Sequence, residues 1–526
     1  MRKYGVQTTK QTLRNTVSVV LLSLFLSLAG MQAAMATSAV WSVPGSILAQ
    51  STQIADSPVV AFDGYGNATA AWIQSDGSTN LVMTSTRPPG GSWSAPDTLS
   101  NAGVYADQPS ISVNSTGDTL VMWRSANTLG GASSVVTASK TAGSTWTSPV
   151  SLTTSAPGTS YIQGALDTNG NAVAIWARWN GSNNIVQTAN KPAGGSWTTP
   201  TNLSTLGQES GSPRIVTDAT GNTTAIWITY GTFGGGSVMA SSTTLNGNWA
   251  TPTVLASSPQ GVEQPGLGVD ASGNVTAIWL WSNPSYQAAL QSSVSTTFGS
   301  WSSTVTVTTD PVAELQLYID ANGNASIIWT SWSGGSIIKS SYRPFAGSWE
   351  TPVNVSTLNS VGLSTPQIVM DSFGNRTAVW IAYDVNYKST AKVASMPAGG
   401  SWQSEITLNS NTQDYAFNPE LAVDNSGNVI AMYHGNFTGG INAFVAFSDA
   451  IMPTPTPTPT PSQTPNGSGS TPSVTPTSDP LVSAAASSSS LANTGAKINV
   501  TLIIFAFVFF ILGSGLFAFR LLQNRR

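Results

Sequence analysis

The chain holds a single histidine, His434, and no cysteine. That leaves no material for a Ser/His/Asp or Cys/His relay, or for a His/Cys metal spacing such as H-E-x-x-H. Carboxylates remain. A glycosidase needs two of them and no histidine, and Glu209, Glu263, Glu314 and Asp384 are available. The arginines Arg124, Arg178, Arg214, Arg343 and Arg376 are scattered without a shared motif. Recurring D-x-x-G-N turns, such as Asp167/Asn169/Asn171 and Asp320/Asn322/Asn324, line up oxygens in a way that invites calcium. Calcium takes about six to eight oxygens, several of them carboxylates. Each turn has one carboxylate and lacks the bidentate Glu of an EF-hand loop. The turns therefore read as a requirement of the fold, and the sequence calls for no metal or cofactor.

Aromatic residues are the more informative chemistry. Of eighteen tryptophans, eight belong to a W-x-x-P-like signal (Trp41, Trp93, Trp146, Trp197, Trp249, Trp301, Trp349, Trp402) and seven to an A-x-W-like position, such as Trp176 and Trp279. These fifteen read as packing. The remaining three, Trp179, Trp281 and Trp332, lie two or three residues beyond the A-x-W position. Equivalent segments elsewhere carry Tyr230 and Phe233, Tyr286, Tyr383 and Tyr387, and His434 with Phe437. Aromatics beside amides and carboxylates suit stacking on sugar rings or docking of a protein partner.

The elements that must position these residues are repeated. The D-x-x-G-N signal recurs eight times, from Asp63 to Asp424, with Asn114 replacing Asp in the second copy. The period is about 51 residues, which marks one supersecondary unit copied and stacked. Each unit reads as four strands. The first ends on the Asp (PVVAFD, 58–63), and the second alternates Ala172/Ala174/Trp176 on one face with Val173/Ile175 on the other. The third strand looks looser (Ile185–Ala189), and a short fourth follows W-x-x-P (Thr201-Asn202-Leu203). A second strand apolar on both faces is covered on both sides. Four-stranded units repeated radially make a β-propeller.

The phase of the ends predicts closure. The body opens on Trp41-Ser42-Val43-Pro44, a fourth strand lacking its first three, and ends on Phe444–Phe447, a third strand lacking its fourth. The expected fold is all-β, an eight-bladed propeller, with seven blades as the alternative. Strand direction puts the D-x-x-G-N and G-G-S-W turns on one rim and the variable loops on the other. The variable rim then holds Trp179, Tyr230, Trp281, Tyr286, Trp332, Tyr383, Tyr387, Glu209 and Glu263 as candidate ligand-binding residues, with Tyr105, Tyr161 and Tyr415 nearby. Binding residues concentrate on loops held by a rigid scaffold.

The repeat region loosely resembles bacterial families built on Asp-box and similar D-x-x-G-N repeats, over roughly residues 37–450. Sialidases also use Asp-box propellers. The Asp-box form S-x-D-x-G-x-x-W is not met, so the resemblance reaches the architecture and not an active site.

The flanks predict export. Residues 1–36 read as a signal peptide: Arg2, Lys3, Lys10 and Arg14, an apolar Val17–Ala29, and cleavage after Ala36. Residues 37–451 form the propeller, and 452–490 a Pro/Thr/Ser-rich extended linker. Residues 498–519 are an apolar run of membrane-spanning length, followed by a basic tail at 520–526 that belongs inside. Just before it stands Leu491-Ala492-Asn493-Thr494-Gly495, which resembles the C-terminal sorting signal of sortase substrates, with Ala where Pro is usual, as in the variant read by class E sortases of Gram-positive bacteria. The resemblance implies a cut between Thr494 and Gly495 and attachment to the cell envelope. Only 8% of residues are charged and the net charge is −4, so no basic patch exists for nucleic acid. The expectation is a monomeric, non-enzymatic surface protein that binds glycan or protein ligands. The alternatives are a sialidase-like glycoside-active enzyme and a structural envelope component.

Overall fold

A computed structural model describes residues 40–448, apart from 43–45, 50–53, 232–233, 245–246, 286, 297, 333, 410–414 and 438–439. The signal peptide, the linker, the Leu491–Gly495 pentapeptide and the apolar run 498–519 lie outside the described residues.

The described residues form eight four-stranded antiparallel sheets, seven of them each from one repeat. Blade 3 is typical: Ser160–Leu166, Ala172–Trp179, Asn184–Lys191 and Thr201–Asn202. The first strands begin at Ala55, Tyr105, Ser160, Ser210, Val262, Ala313, Gly362 and Ala416, for blades 1 to 8 in order. Each packs against the first strands of both neighbouring blades, which closes a ring around a central channel. The ring is fastened as the phase of the ends predicts. Ser46–Ala49 pairs antiparallel with Gly440–Ser448, and Trp41 bridges to Ser448, so blade 8 is completed by the N-terminal segment. Eight blades close without any residue beyond 448. The third strand is more regular than its sequence implies: Asn184–Lys191 pairs residue for residue with the whole second strand.

The alternation in the second strand decides which neighbour each residue faces. Val173 and Ile175 pack with Ile215, Ala225 and Trp227 of blade 4. Ala172, Ala174 and Trp176 pack with Leu120, Met122 and Val135 of blade 2. The A-x-W indole is thus buried against the preceding blade, and Trp72, Trp123, Trp176, Trp227, Trp279, Trp329 and Trp380 are fully buried. Burying an indole contributes roughly 4–6 kcal/mol gross, from about 150–250 Å² at about 25 cal/mol/Å². In blade 8 Tyr433 takes the place, stacks on Phe444, and donates its hydroxyl to the Leu408 carbonyl of blade 7 at 3.3 Å. Apart from Trp41, which is buried, the W-x-x-P-like tryptophans lie half-buried over the same clusters, as Trp146 and Trp197 do.

The sequence reading missed one regular feature. Each first strand carries a bulge opposite the buried aromatic of its own blade: Asp56 pairs with Ile73 and Val59 with Ala71, so Ser57 and Pro58 together face Trp72. The same two-against-one register recurs in every blade, with a left-handed residue at its first position: Ser57, Gln108, Tyr161, Ser212, Gln264, Glu314, Thr365 and Asn418, φ between 48° and 55°. A bulge bends the strand and re-aims a side chain. Proline follows in six of the eight, and it is tolerated because the first strand is the inner edge of its sheet.

The D-x-x-G-N turn is a closed hydrogen-bond unit. Asp167 Oδ1 accepts from the N–H groups of Asn169 (2.9 Å) and Asn171 (2.8 Å), and Oδ2 accepts from Asn171 Nδ2 at 2.7 Å. Asn171 Oδ1 then accepts from the Ala193 N–H at 2.9 Å, which ties the turn to the Gly-rich loop and places both on one rim. The turn glycine is positioned against the previous blade. At Gly323 (φ +83°) a Cβ would lie 2.6 Å from Asp270 Oδ2. Blade 2 inverts the pair: Asn114 Nδ2 donates to Asp118 Oδ2 at 3.2 Å and to the Asp167 carbonyl at 2.9 Å.

Asn114→Asp removes both donors and sets two carboxylates against each other. It is expected to cost about 1–3 kcal/mol. Adding Asp118→Asn recreates the pair used in the other blades and should recover part of that loss. Thermal denaturation of both variants checks it, and equal melting temperatures for the single and double variants would count against this account.

Candidate functional site

The two rims have different chemistry. On the rim of the D-x-x-G-N turns, the polar groups are consumed by their own turns and by the adjacent loops. On the opposite rim lie the loops between second and third strands, the fourth-to-first connections and the mouth of the channel.

Strand periodicity separates the three extra tryptophans. Trp179 and Trp332 stand three residues beyond the buried indole, as do Tyr230 and Tyr383, on the face toward the following blade. Trp281 stands two residues beyond and faces backward, and its Nε1 donates to the Ser257 carbonyl of blade 4 at 2.9 Å. That indole belongs to the framework. Trp179 is half-buried, Trp332 is 48% exposed and Tyr230 41% exposed. Tyr387 stands at the tip of its loop, 76% exposed with φ +58°. Tyr286 and Phe233 lie outside the described residues, as does the side chain of Phe437.

The structure draws Tyr230, Glu209 and Glu263 together on blades 4 and 5. Both carboxylates lie within electrostatic reach of the Tyr230 phenol. Burial raises that phenol above its ordinary value, and a hydrogen bond with Ser212, at 3.3 Å, opposes the rise. Tyr161 and Arg214 join the group. Arg214 donates to the Pro213 carbonyl at 3.0 Å and is held below the usual guanidinium value by desolvation. Sequence reading placed Arg214 among scattered arginines, because the spacing of 53 residues from Tyr161 carries no local signal.

Of the four candidate acids, three have structural partners. Glu209 accepts from the Asn184 N–H (2.9 Å) and Nδ2 (2.7 Å), fastening blade 4 to blade 3. Asp384 Oδ1 accepts from the N–H groups of Asn386 and Lys388 in its own loop. Glu314, the left-handed residue of blade 6, accepts from the Thr365 N–H of blade 7 at 2.6 Å. Glu263 is exposed. Two further polar contacts lie at the closure seam and in blade 2: His434 Nδ1 stands 3.1 Å from Asp56 Oδ1, and Arg124 donates from Nε and Nη2 to the two oxygens of Asp107 in a bidentate pair. Among the described residues, no group of three or more His, Cys, Asp or Glu is placed to hold a metal ion.

No family model and no curated protein matches the chain. Among solved structures it is similar to the BP39L lectin from Burkholderia pseudomallei, at 14% identity over 69% of this chain and 100% of that one, TM-score 0.45. It is also similar to the Hadza microbial sialidase Hz136, at 12% identity over 64% and 77%, TM-score 0.36. A third is the GH93 alpha-L-arabinofuranosidase of Fusarium graminearum, at 12% identity over 55% and 93%, TM-score 0.36. The eight-bladed assignment rests on this chain's own strand pairing, and the likeness extends to no site.

Burial lifts the Glu314 carboxyl above its ordinary value of 4.5, while the Thr365 N–H pulls it back. A carboxyl with a raised folded pKa stabilises the fold below the unfolded value, and that contribution is lost as pH rises through the folded one. Glu314→Gln keeps an acceptor for Thr365 without the titration. The variant and the parent should melt alike near pH 4, with the variant melting higher as pH rises toward neutrality. Parallel melting curves at every pH would remove the argument.

Proposed function

We propose that this chain is a non-catalytic recognition protein displayed outside a bacterial cell, binding glycan or surface-protein ligands through its variable rim. The observation that supports this reading is the contrast between the rims. The constant rim spends its carboxylates and amides on its own turns. The variable rim leaves Trp332, Tyr230 and Tyr387 exposed beside hydroxyls and carboxylates on a closed, rigid ring. Aromatic surface of this kind offers area at low entropic cost, with a polar edge for hydrogen bonding. Partners for Glu209, Glu314 and Asp384 within the fold favour binding over hydrolysis, since a glycosidase needs two carboxyls free to act. The leader, the linker and the sorting-like pentapeptide complete the proposal: an exported propeller on a stalk, held at the envelope by sortase attachment at Thr494 or by the apolar run.

Residues 37–451, whose ring closes on itself, are suited to a broad glycan array with calcium and with chelator. Binding is expected, unchanged by chelator because the turn carboxylates are already saturated by N–H donors. The double variant Trp179→Ala/Trp332→Ala should lose at least tenfold in affinity, about 1.4 kcal/mol. A blank array from folded protein would move the assignment to a protein partner or an envelope scaffold.

A further inference from the structure

Five blades carry a cation at one place in their register. At the constant-rim end of each blade, the first residue of the second strand pairs with the last of the third. The pairs are Ala68 with Arg87, Thr119 with Lys140, Ala172 with Lys191, Ala325 with Arg343, and Arg376 with Met396. All share the parity of the buried indole, so they turn toward the preceding blade. The Arg87 guanidinium lies 4.1 Å from the Phe447 ring of blade 8, and that of Arg376 4.8 Å from the Tyr342 ring of blade 6. Arg343 donates to Thr276 Oγ1 of blade 5 at 2.8 Å and stands within electrostatic reach of Asp270, as Lys140 does of Asp63 in blade 1. At these four seams a positive side chain of the following blade fills the gap.

Blade 4 departs from this pattern and pairs Thr223 with Thr243. Blades 5 and 8 also lack the cation, but fill the place with Val275 and Val429. Beside the two threonines lies a cavity of about 20 Å³ between blades 3 and 4, bordered by Asp167, Asn190, Thr217, Gly221, Thr223 and Thr243. That is room for one water-sized particle. The lining offers acceptors. Asn190 holds the place that Phe447 and Tyr342 hold in their blades, and its Oδ1 is buried with no hydrogen-bond partner among the described residues. Thr217 and Thr223 share a hydrogen bond at 2.9 Å, Thr223 also reaches the Gly221 carbonyl, and Thr243 donates to the Thr244 carbonyl at 3.1 Å. Their hydrogens are spent, and oxygen lone pairs remain. Lys191 borders the cavity too, but it pairs with Ala172, whose face meets blade 2, and so directs its ammonium away from this seam.

We propose that this cavity binds one water-sized monovalent cation, potassium or ammonium, where other blades supply a cation of their own. Asn190 Oδ1 and the threonine hydroxyls are its ligands. Asp167, 1% exposed and already bonded within its turn, supplies the compensating charge at short range and low dielectric. The turn itself takes on no ligand. One carboxylate among neutral oxygens matches a single positive charge, whereas calcium asks for several carboxylates. The cation fastens blade 3 to blade 4 on the constant rim, and its binding does not depend on what the variable rim recognises.

The test melts residues 37–451 in choline chloride, then with potassium, ammonium or sodium replacing choline at constant ionic strength. Potassium and ammonium are expected to raise the melting temperature saturably, by about 1–3 °C, and sodium by less. Thr243→Arg restores the arrangement of blades 1 and 6, and should melt at or above the potassium-bound parent without responding to potassium. Asn190→Ala removes a ligand without adding bulk, and should fold in choline yet lose the response. Thallium soaked into crystals should give an anomalous peak between Asn190 and Thr243. Equal melting in every salt, a potassium response undiminished in Asn190→Ala, or no thallium in this seam overturns the site and leaves water in the cavity.

Discussion

An indole buried between its own second strand and the blade before it is the interaction on which the rest of this protein depends. Eight such aromatics, seven Trp and Tyr433, define eight seams, and every other regular feature is arranged around them. The alternation that points Trp176 backward points Val173 and Ile175 forward, so each blade is both a surface for the previous seam and a filler for the next. The bulge of the first strand sits opposite the same aromatic, placing a left-handed residue at the channel in every blade. In three blades that residue reaches the next one: Gln264 to the Leu315 N–H, Glu314 to the Thr365 N–H, and Asn418 to Asp56. With no disulfide available, a ring held seam by seam and fastened by the pairing of Ser46–Ala49 with the last strand supplies the needed cooperativity.

The cost of that regularity falls on one rim. A turn that must hold its carboxylate within 2.9 Å of two N–H groups, and admit a glycine beneath the preceding blade's carboxylate, has no freedom left to acquire a ligand. The opposite rim is released from these demands because the strands there have already passed the buried indole. Its residues vary from blade to blade: position +3 after the aromatic is Trp179, Tyr230, Trp332 or Tyr383 in some blades and Ser75, Ala126 or Ser282 in others. Recognition, on this view, belongs to the half of each blade that the fold does not need.

The repeat, the four-stranded unit, the eight blades and the ring closure were legible in the sequence, because each is a local pattern copied in phase. The packing role of fifteen tryptophans followed from the same copying. The bulge was visible in principle as a proline five residues before the turn Asp or Asn, at Pro58, Pro109 and Pro213, but a strand beginning at that proline explained the pattern equally well. The grouping of Trp179, Trp281 and Trp332 was too coarse. One residue of offset turns an indole to the other face of a strand, and for Trp281 that face is packed against blade 4.

The sequence by itself determined the architecture, since periodicity of two along a strand and of about 51 along the chain is a property of the chain read in order. Only the tertiary structure decided which side chains share a place. Tyr161 comes within electrostatic reach of Arg214, and Trp332 approaches Gly362 of the following blade, because the ring packs neighbouring blades together. Such contacts are set by the curvature of the ring, and no spacing within one repeat encodes them.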